Sequence, residues 1–183
     1  MTIDQLTALP AGTWNIDASH SDVGFTARHL MSRVRGLFEK FEGQIVTGDQ
    51  PSATASIDLT SINTRDDNRD GHLRSGDFFD VENNGPMTFA STKVEAGGKG
   101  LLVTGDLSLK GVTKPVVLDV EFLGTESDPW GGTRAGFEGT TTISRKDWGV
   151  DFNIPMDGGR LLIGDKIDIT IAVEAVLEQG TAA

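Results

Sequence analysis

From Lys166 to Glu178 the chain alternates: Ile167, Ile169, Ile171, Val173, Ala175 and Leu177 fall on one parity, Asp168, Thr170, Glu174 and Glu178 on the other. A period of two is that of a strand with one wet and one apolar face. A helix would spread the same residues around its circumference, and the run Ile167-Asp168-Ile169-Thr170-Ile171 would lose χ1 freedom there while packing well on a pleated surface. The segment is a half-buried strand, and the rest of the chain must cover its apolar side.

The pattern recurs. Candidate strands run near residues 12–17, 21–28, 36–47, 52–59, 86–95, 101–110, 114–124, 133–145 and 165–178, parted by turn clusters such as Gly48-Asp49-Gln50-Pro51 and Asp128-Pro129-Trp130-Gly131-Gly132. If the first two are halves of one strand bent at His20, eight strands remain. That number closes an antiparallel barrel holding side chains or one ligand, with no exposed edge. Ser61 to Val81 departs from the pattern. Thr64-Arg65-Asp66-Asp67 has the form of a capping box, and the spacing predicts a helix to about Ser75, a left-handed Gly76 behind it and one further turn from Asp77. A second, short helical piece is read at Leu30 to Arg35, and a frayed tail from Gln179.

Composition excludes several functions. A length of 183 residues, 37% of them hydrophobic, fits one domain. A net charge of -11 without a block of Lys or Arg gives no footprint for nucleic acid. With no cysteine there is no disulfide, thiolate metal site or cysteine nucleophile, and the three histidines form no close pair, so no metal site is expected. Gly-x-Ser-x-Gly, Walker and dinucleotide motifs are absent. Ser19, His20 and Ser21 read as neighbours pointing to opposite faces, which gives no Ser-His pair. Asp66, Asp67 and Asp70 read as a solvated helix start. Met1 to Gly12 lacks the basic start and apolar run of a secretory signal, and no run approaches the ~18 apolar residues that span a bilayer. The expectation is a soluble, cytoplasmic protein.

Four motifs carry a resemblance. Trp14-Asn15-Ile16-Asp17-Ala18-Ser19-His20 through Phe25-Thr26-Ala27-Arg28-His29, followed by Arg35-Gly36-Leu37-Phe38-Glu39-Lys40-Phe41-Glu42-Gly43, resembles the opening of the YceI family. His72-Leu73-Arg74-Ser75 with Asp77-Phe78-Phe79-Asp80, Gly105-Asp106-Leu107-Ser108-Leu109-Lys110-Gly111, and Ile143-Ser144-Arg145-Lys146-Asp147-Trp148-Gly149-Val150 are similar to its later signatures, in the same order. The resemblance implies a YceI-like domain over residues 13–178, between a lead-in at 1–12 and a disordered tail at 179–183. It implies an all-β fold: an eight-stranded antiparallel lipocalin-like β-barrel with one short helical insertion, enclosing an elongated apolar tunnel. The family binds polyisoprenoid or related long-chain amphiphiles.

Inward parity collects Val23, Phe25, Ala27, Ala55, Met87, Phe89, Gly105, Leu107, Phe122, Phe137, Gly139 and Ile143, with the odd positions from Ile167 to Leu177. Small members such as Ala55, Gly105 and Gly139 fit either a hollow interior or the taper of a filled one; the resemblance favours the hollow. The ligand neighbours expected are Phe25, Phe89, Leu107, Phe122, Phe137, Ile169 and Ile171, with Leu73, Phe78 and Phe79 from the helical segment. Arg145 and His29 continue the inward parity to a barrel end. There Arg145 could donate to a pyrophosphate or quinone oxygen and His29 add a hydrogen bond. Alternatively, Arg145 pairs with Asp147 or another carboxylate and His29 caps a strand end. His20 is expected to bond to backbone, His72 to be a surface or packing residue, and Trp130 to pack over a barrel end.

Moving an isoprene unit out of water is worth roughly 3 to 4 kcal/mol. A long polyprenyl tail would then exceed the affinity ceiling of about 20 kcal/mol, so the competitor must be a bilayer or micelle. The reading is a protein that stores, transports or presents a long-chain isoprenoid lipid, such as a polyprenyl phosphate or quinone. It needs no cofactor beyond that bound polyisoprenoid and has no catalytic residue, and transient membrane contact and a homodimer stay open. Two rivals remain: a small barrel enzyme acting on such a lipid with His29 or His20 as acid-base group, and a filled barrel with a protein-interaction role.

Overall fold

The computed structural model describes residues 9–179; the expected tail beyond Gln179, and the lead-in before Leu9, lie outside the described residues. The alternating segments form one antiparallel sheet. Its strands are β1 (Gly12–Ile16), β2 (Asp22–His29), β3 (Ser32–Phe38), β4 (Phe41–Thr47), β5 (Ser52–Ile57), β6 (Ile62–Asn63), β7 (Met87–Gly97), β8 (Gly100–Leu109), β9 (Val112–Ser127), β10 (Thr133–Ser144) and β11 (Ile163–Leu177).

Three pairs of these are single strands broken by a bend. β1 pairs with β11 at Ala175 to Leu177 and β2 with the same edge from Ile163 to Ala172, either side of a three-ten turn at Ala18–His20. β4 and β3 follow alongside β1 and β2, and β5 and β6 alongside β4 and β3. Counting each bent pair once leaves eight strands in up-and-down order, closed where β1 meets β11. This is the eight-stranded antiparallel barrel expected, including the strand bent at His20.

Leu30 to Arg35 is not helical. Leu30 takes a positive φ of 51° in a two-residue turn, and β3 starts at Ser32 because Arg33, Val34 and Arg35 find ladder partners in β2. The helix α1 spans Asp67–Arg74. Its N-cap is Asp66, which accepts from the Arg69 amide at 3.0 Å, so Thr64 is no capping-box residue. Thr64 instead gives its amide (2.9 Å) and hydroxyl (2.5 Å) to Asp70. Asp70 is therefore buried rather than solvated. The helix ends at an extended Ser75 (φ −70°, ψ 173°), not at a left-handed Gly76, and the further turn follows, with the Phe78 amide donating to Ser75 at 3.0 Å.

Trp14, with no exposed surface, plugs the barrel end nearer β1 and donates its indole N–H to Thr47 Oγ1 at 2.9 Å. Trp148 does the corresponding work beneath the other end, donating to the Leu107 carbonyl at 3.0 Å. Trp130 is 83% exposed and packs over neither end. Its turn is fixed by the Asp128 carboxylate, which accepts from the Trp130 and Gly132 amides and leaves the indole outside.

The closing seam is cross-linked by charge. Arg134 of β10 donates to Asp17 at 2.8 Å, to Asp128 at 3.1 Å and to Glu174 of β11. The Ser19 hydroxyl first, then Arg134 and His20, hold the Asp17 carboxyl well below the usual carboxylate range. A depressed carboxyl stabilises the fold above its unfolded pKa of about 3.9, and that contribution is lost as pH falls below it toward the folded value. Arg134→Gln is accordingly expected to destabilise the barrel at neutral pH. The gap to the unaltered protein should narrow as pH drops below about 4, as urea melts from neutral pH to pH ~2 would register.

Candidate functional site

The ladder register sets Phe25 opposite both Ile169 and Gly36. Gly36 is small of necessity: a Cβ there would fall 2.5 Å from the Phe25 ring. Gly105 bears the same relation to Phe89, with a Cβ placed 2.4 Å from its ring. The two glycines let two rings lie inside the barrel where chain atoms would otherwise stand.

Two apolar cavities share the interior. The larger, about 290 Å³, lies between β2 (Phe25, Ala27), the α1 segment (Leu73, Phe78, Phe79) and the Val150–Ile163 connection. The smaller, about 140 Å³, lies toward the Trp14 end, against Ala55, Phe137, Gly139 and Ile171. The divide falls between Ile169 and Ile171 on β11 and between Met87 and Phe89 on β7. Phe89 packs against the core clusters of both halves.

Of the residues expected from sequence, Phe25, His29, Leu73, Phe78, Phe79, Arg145 and Ile169 line the larger cavity, and Phe89, Phe137 and Ile171 the smaller. Leu107 and Phe122 line neither. Leu107 is buried beneath Trp148, and Phe122 spends its ring on Phe137, 5.4 Å between centroids. Val150, Phe152, Ile154 and Leu162 are further lining residues, on a connection that lies between the candidate strands 133–145 and 165–178. The connection is a small hairpin: the Leu162 amide donates to Ile154 (3.0 Å), the Met156 amide to Arg160 (2.8 Å), and Asn153 Nδ2 to the Ile163 carbonyl (2.7 Å). Its signal is in the sequence, since Val150, Phe152 and Ile154 share a parity ahead of Pro155, and Leu161, Leu162 and Ile163 follow Gly158-Gly159-Arg160.

Arg145 starts a three-ten turn, Arg145–Trp148, and is 5% exposed. Among the described residues it pairs with no carboxylate; Asp147 lies 3.8 Å from Lys114 instead. Its Nε donates to the Gly164 carbonyl (3.0 Å) and Nη1 to the carbonyls of Phe152 (2.9 Å) and Val150, while Nη2 has no partner among the described residues. Burial pushes its pKa down, opposed by the charges of Asp165 and Asp151. His29 is half-buried and lines the same cavity, its carbonyl accepting from Ser32 Oγ at 3.0 Å. His72 Nε2 lies 2.7 Å from Asp77, and its ring stands edge-on between Phe78 and Phe152 at 5.0 and 4.9 Å.

Ser19 and His20 do meet, Oγ to Nδ1 at 3.0 Å, because Ala18–His20 is a three-ten turn rather than a strand. His20 bonds to the Asp17 and Ser19 side chains, not to backbone. The same ring nitrogen faces both partners and the Ser19 hydroxyl donates to Asp17 at 2.6 Å, so this is not a relay in which opposite nitrogens of the imidazole serve base and carboxylate. Asp17, His20 and Glu174 converge closely enough to suggest a metal. The Arg134 guanidinium already bridges the two carboxylates and supplies the cation there.

A family profile described as the YceI-like domain matches residues 14–175. A UPF0312 protein of Vibrio parahaemolyticus is 39% identical over 181 residues, 92% of each chain, and one of Pseudomonas paraeruginosa is 40% identical over 173 residues, 91% of this chain and 87% of that one. The crystal structure of a Campylobacter jejuni YCEI protein superposes with a TM-score of 0.69 at 31% identity, over 89% of this chain and 96% of that one. Two further structures share the fold. BcnA of Burkholderia cenocepacia has a TM-score of 0.76 at 24% identity, covering 87% and 98%. A polyisoprenoid binding domain from Saccharophagus degradans, implicated in plant cell wall breakdown, has 0.67 at 19%, covering 92% and 99%.

Arg145 ties the hairpin of residues 150–163 to the barrel through carbonyls alone. Arg145→Met is expected to cost about 2–3 kcal/mol, the worth of its charged hydrogen bonds. Hydrogen exchange should quicken across residues 150–163 while β8 and β9 stay protected.

Proposed function

The chain belongs to the YceI-like family, and from that membership and its two apolar cavities we propose that it binds a long-chain isoprenoid lipid, tail along the barrel axis and polar end at Arg145 and His29. The observation that carries this reading is a buried guanidinium with an unpartnered nitrogen, beside a cavity whose lining is otherwise almost wholly apolar. The tail's affinity is non-directional and grows with apolar area. The head group supplies what such a wall cannot, an acceptor for Nη2. The fold shared with the polyisoprenoid binding domain of Saccharophagus degradans supports the choice of tail.

The lining also argues for a carrier over an enzyme. Among the described residues the larger cavity is bordered by no serine, threonine, aspartate or glutamate; its titratable groups are Arg28, Arg69, Arg145, His29 and His72. Chemistry there would lack a hydroxyl or carboxylate nucleophile, and His72, whose imidazole has a carboxylate partner in Asp77, has its ring packed between Phe78 and Phe152. Storage, transport or presentation of the lipid needs neither, only an interior that matches a bilayer as an environment for the tail.

Two measurements test the reading. A Cβ on Gly139 would make ordinary contacts, 3.6 Å to Val120 and 3.7 Å to Ile171, so the backbone tolerates a side chain there. Gly139→Leu would then fill the smaller cavity and is expected to abolish loading with long tails while short ones still bind. Native mass spectrometry with organic extraction reads both; full long-chain loading in the variant would overturn the placement of the tail. For the head group, Arg145→Met should weaken binding of a prenyl phosphate about tenfold or more beyond any loss for the matching prenol. Equal losses would mean that Arg145 only holds the hairpin.

A further inference from the structure

The β2–β3 hairpin carries a set of side chains for which the barrel has no use. Met31 at its turn is 95% exposed and Leu30 46%. The Leu30 amide donates to the Leu162 carbonyl at 3.0 Å, which stitches this turn to the hairpin of residues 153–163. That neighbour brings Ile154 (46% exposed), Met156 (38%) and Leu161 (48%) to the same end of the molecule. Exposed apolar groups scattered singly mean little, but a cluster on adjoining tips marks a contact surface.

The charge beside the cluster is as unusual. Arg28 and Arg33 are direct partners in the β2–β3 ladder, on the outward face, with Arg35 next along the same face opposite Thr26. Like charges directly opposite disfavour strand pairing. Among the described residues none of the three lies within ion-pair distance of a carboxylate. Residues 23–38 contain no Asp or Glu at all, in a chain whose net charge is -11. Asp151 and Asp157 are the acids on the neighbouring hairpin, against Arg160. The tip is thus a cationic and apolar island on an acidic protein, and it rims the larger cavity through Arg28, His29, Ile154 and Leu162.

We propose that this end docks on an anionic lipid bilayer, Leu30, Met31 and the 153–163 hairpin entering the interface while Arg28, Arg33 and Arg35 meet the phosphates. The choice of a bilayer over a protein partner rests on the reading of the cavity as a lipid site, because docking here brings its mouth to the membrane. The arginines supply charge complementarity, the exposed side chains supply buried apolar area, and one-sided contact follows from both. Repulsion between the membrane and the acidic remainder is screened within about 10 Å at 0.1 M salt, so the tip dominates at contact.

The test is partition onto phosphatidylcholine vesicles with about one third phosphatidylglycerol, against phosphatidylcholine alone, near 0.1 M salt. The unaltered protein is expected to bind the anionic vesicles and hardly the neutral ones. The double variant Arg33→Gln/Arg35→Gln should lower that partition roughly 20-fold, and Met31→Ser about tenfold. The Arg33→Gln change removes the opposed pair with Arg28, so the thermal midpoint should hold or rise, which separates lost docking from lost folding. Absence of binding to anionic vesicles, or variants that bind like the unaltered protein, overturns the proposal. So does a dimer in sedimentation velocity that Met31→Ser dissociates, which would assign the surface to a second copy of this chain. Lipid loading is scored in parallel. Variants that load normally yet fail to dock show the surface acting apart from the cavity, whereas docking that survives without any loading in the unaltered protein would sink the cavity reading alone.

Discussion

The structure depends on the last strand being paired along both edges. β10 takes one edge of β11 from Lys166 to Val176, and β1 with β2 takes the other. A single straight strand does not follow β11 over that length here, so the chain breaks at Ala18–His20, and a break in a ladder leaves backbone groups to satisfy. Ser21 fills the gap with its side chain. Its hydroxyl donates to the Glu174 carbonyl at 3.3 Å and accepts from the Glu174 amide at 3.0 Å, while the Asp17 amide also reaches that carbonyl at 2.9 Å. The Asp17–Arg134–Glu174 cluster lies over the same bend. The ionic group is best understood as the clasp of barrel closure, with Arg134 supplying the cation between its two carboxylates.

Closure fixes how many strands surround the interior but not whether the interior is full. That is decided by the small residues. Gly36 and Gly105 give Phe25 and Phe89 room to lie across the lumen, and Ala53, Ala55 and Gly139 leave the wall thin beside them. At ~24 cal/mol per Å³, an empty void of about 290 Å³ costs on the order of 7 kcal/mol, comparable with the net stability of a whole domain, about 5–15 kcal/mol. Larger side chains at Ala53, Ala55 or Gly139 would fill the smaller cavity, of about 140 Å³. A chain that leaves so much apolar volume is more stable with an apolar occupant, by mass action as well as by contact.

Much of this was legible because a strand exposes its fold in its parity. Ile169 and Ile171, Phe25, Phe89 and Phe137 could be assigned to the interior from a period of two, and the bend at His20 from a polar corner between two alternating runs. What stayed hidden was whatever parity does not govern. The turn at Leu30-Met31 carries no Gly or Pro, so nothing in the sequence announced a positive φ at Leu30. Asp70 looked like one more helix acid, and only tertiary structure shows it accepting from Thr64 six residues back. Ser19 and His20 were placed on opposite faces by a strand rule, and the three-ten turn put them in contact. Leu107 and Phe122 share the inward parity yet miss both cavities, since facing inward settles which side of the sheet a residue lies on and not whether a neighbour has already filled the space.

Arg145 ties the remaining pieces together. A buried guanidinium is costly to desolvate, and its bonds to carbonyls offset that cost, but holding the hairpin leaves Nη2 unused. Its partners are three backbone carbonyls: those of Val150 and Phe152 in the connection that borders the larger cavity, and that of Gly164 at the start of β11. The residue that orders the cover is also the residue with a donor to spare at Nη2. Even with its pKa pushed down by burial it stays protonated, as arginine does in proteins, so the charge persists and only its solvation can change. On the proposed reading a phosphate or quinone oxygen at Nη2 completes the donor set, offsets part of the desolvation cost and thereby tightens the same cation on the Val150 and Phe152 carbonyls. Head-group capture and ordering of the cover are then one event, carried by a single side chain.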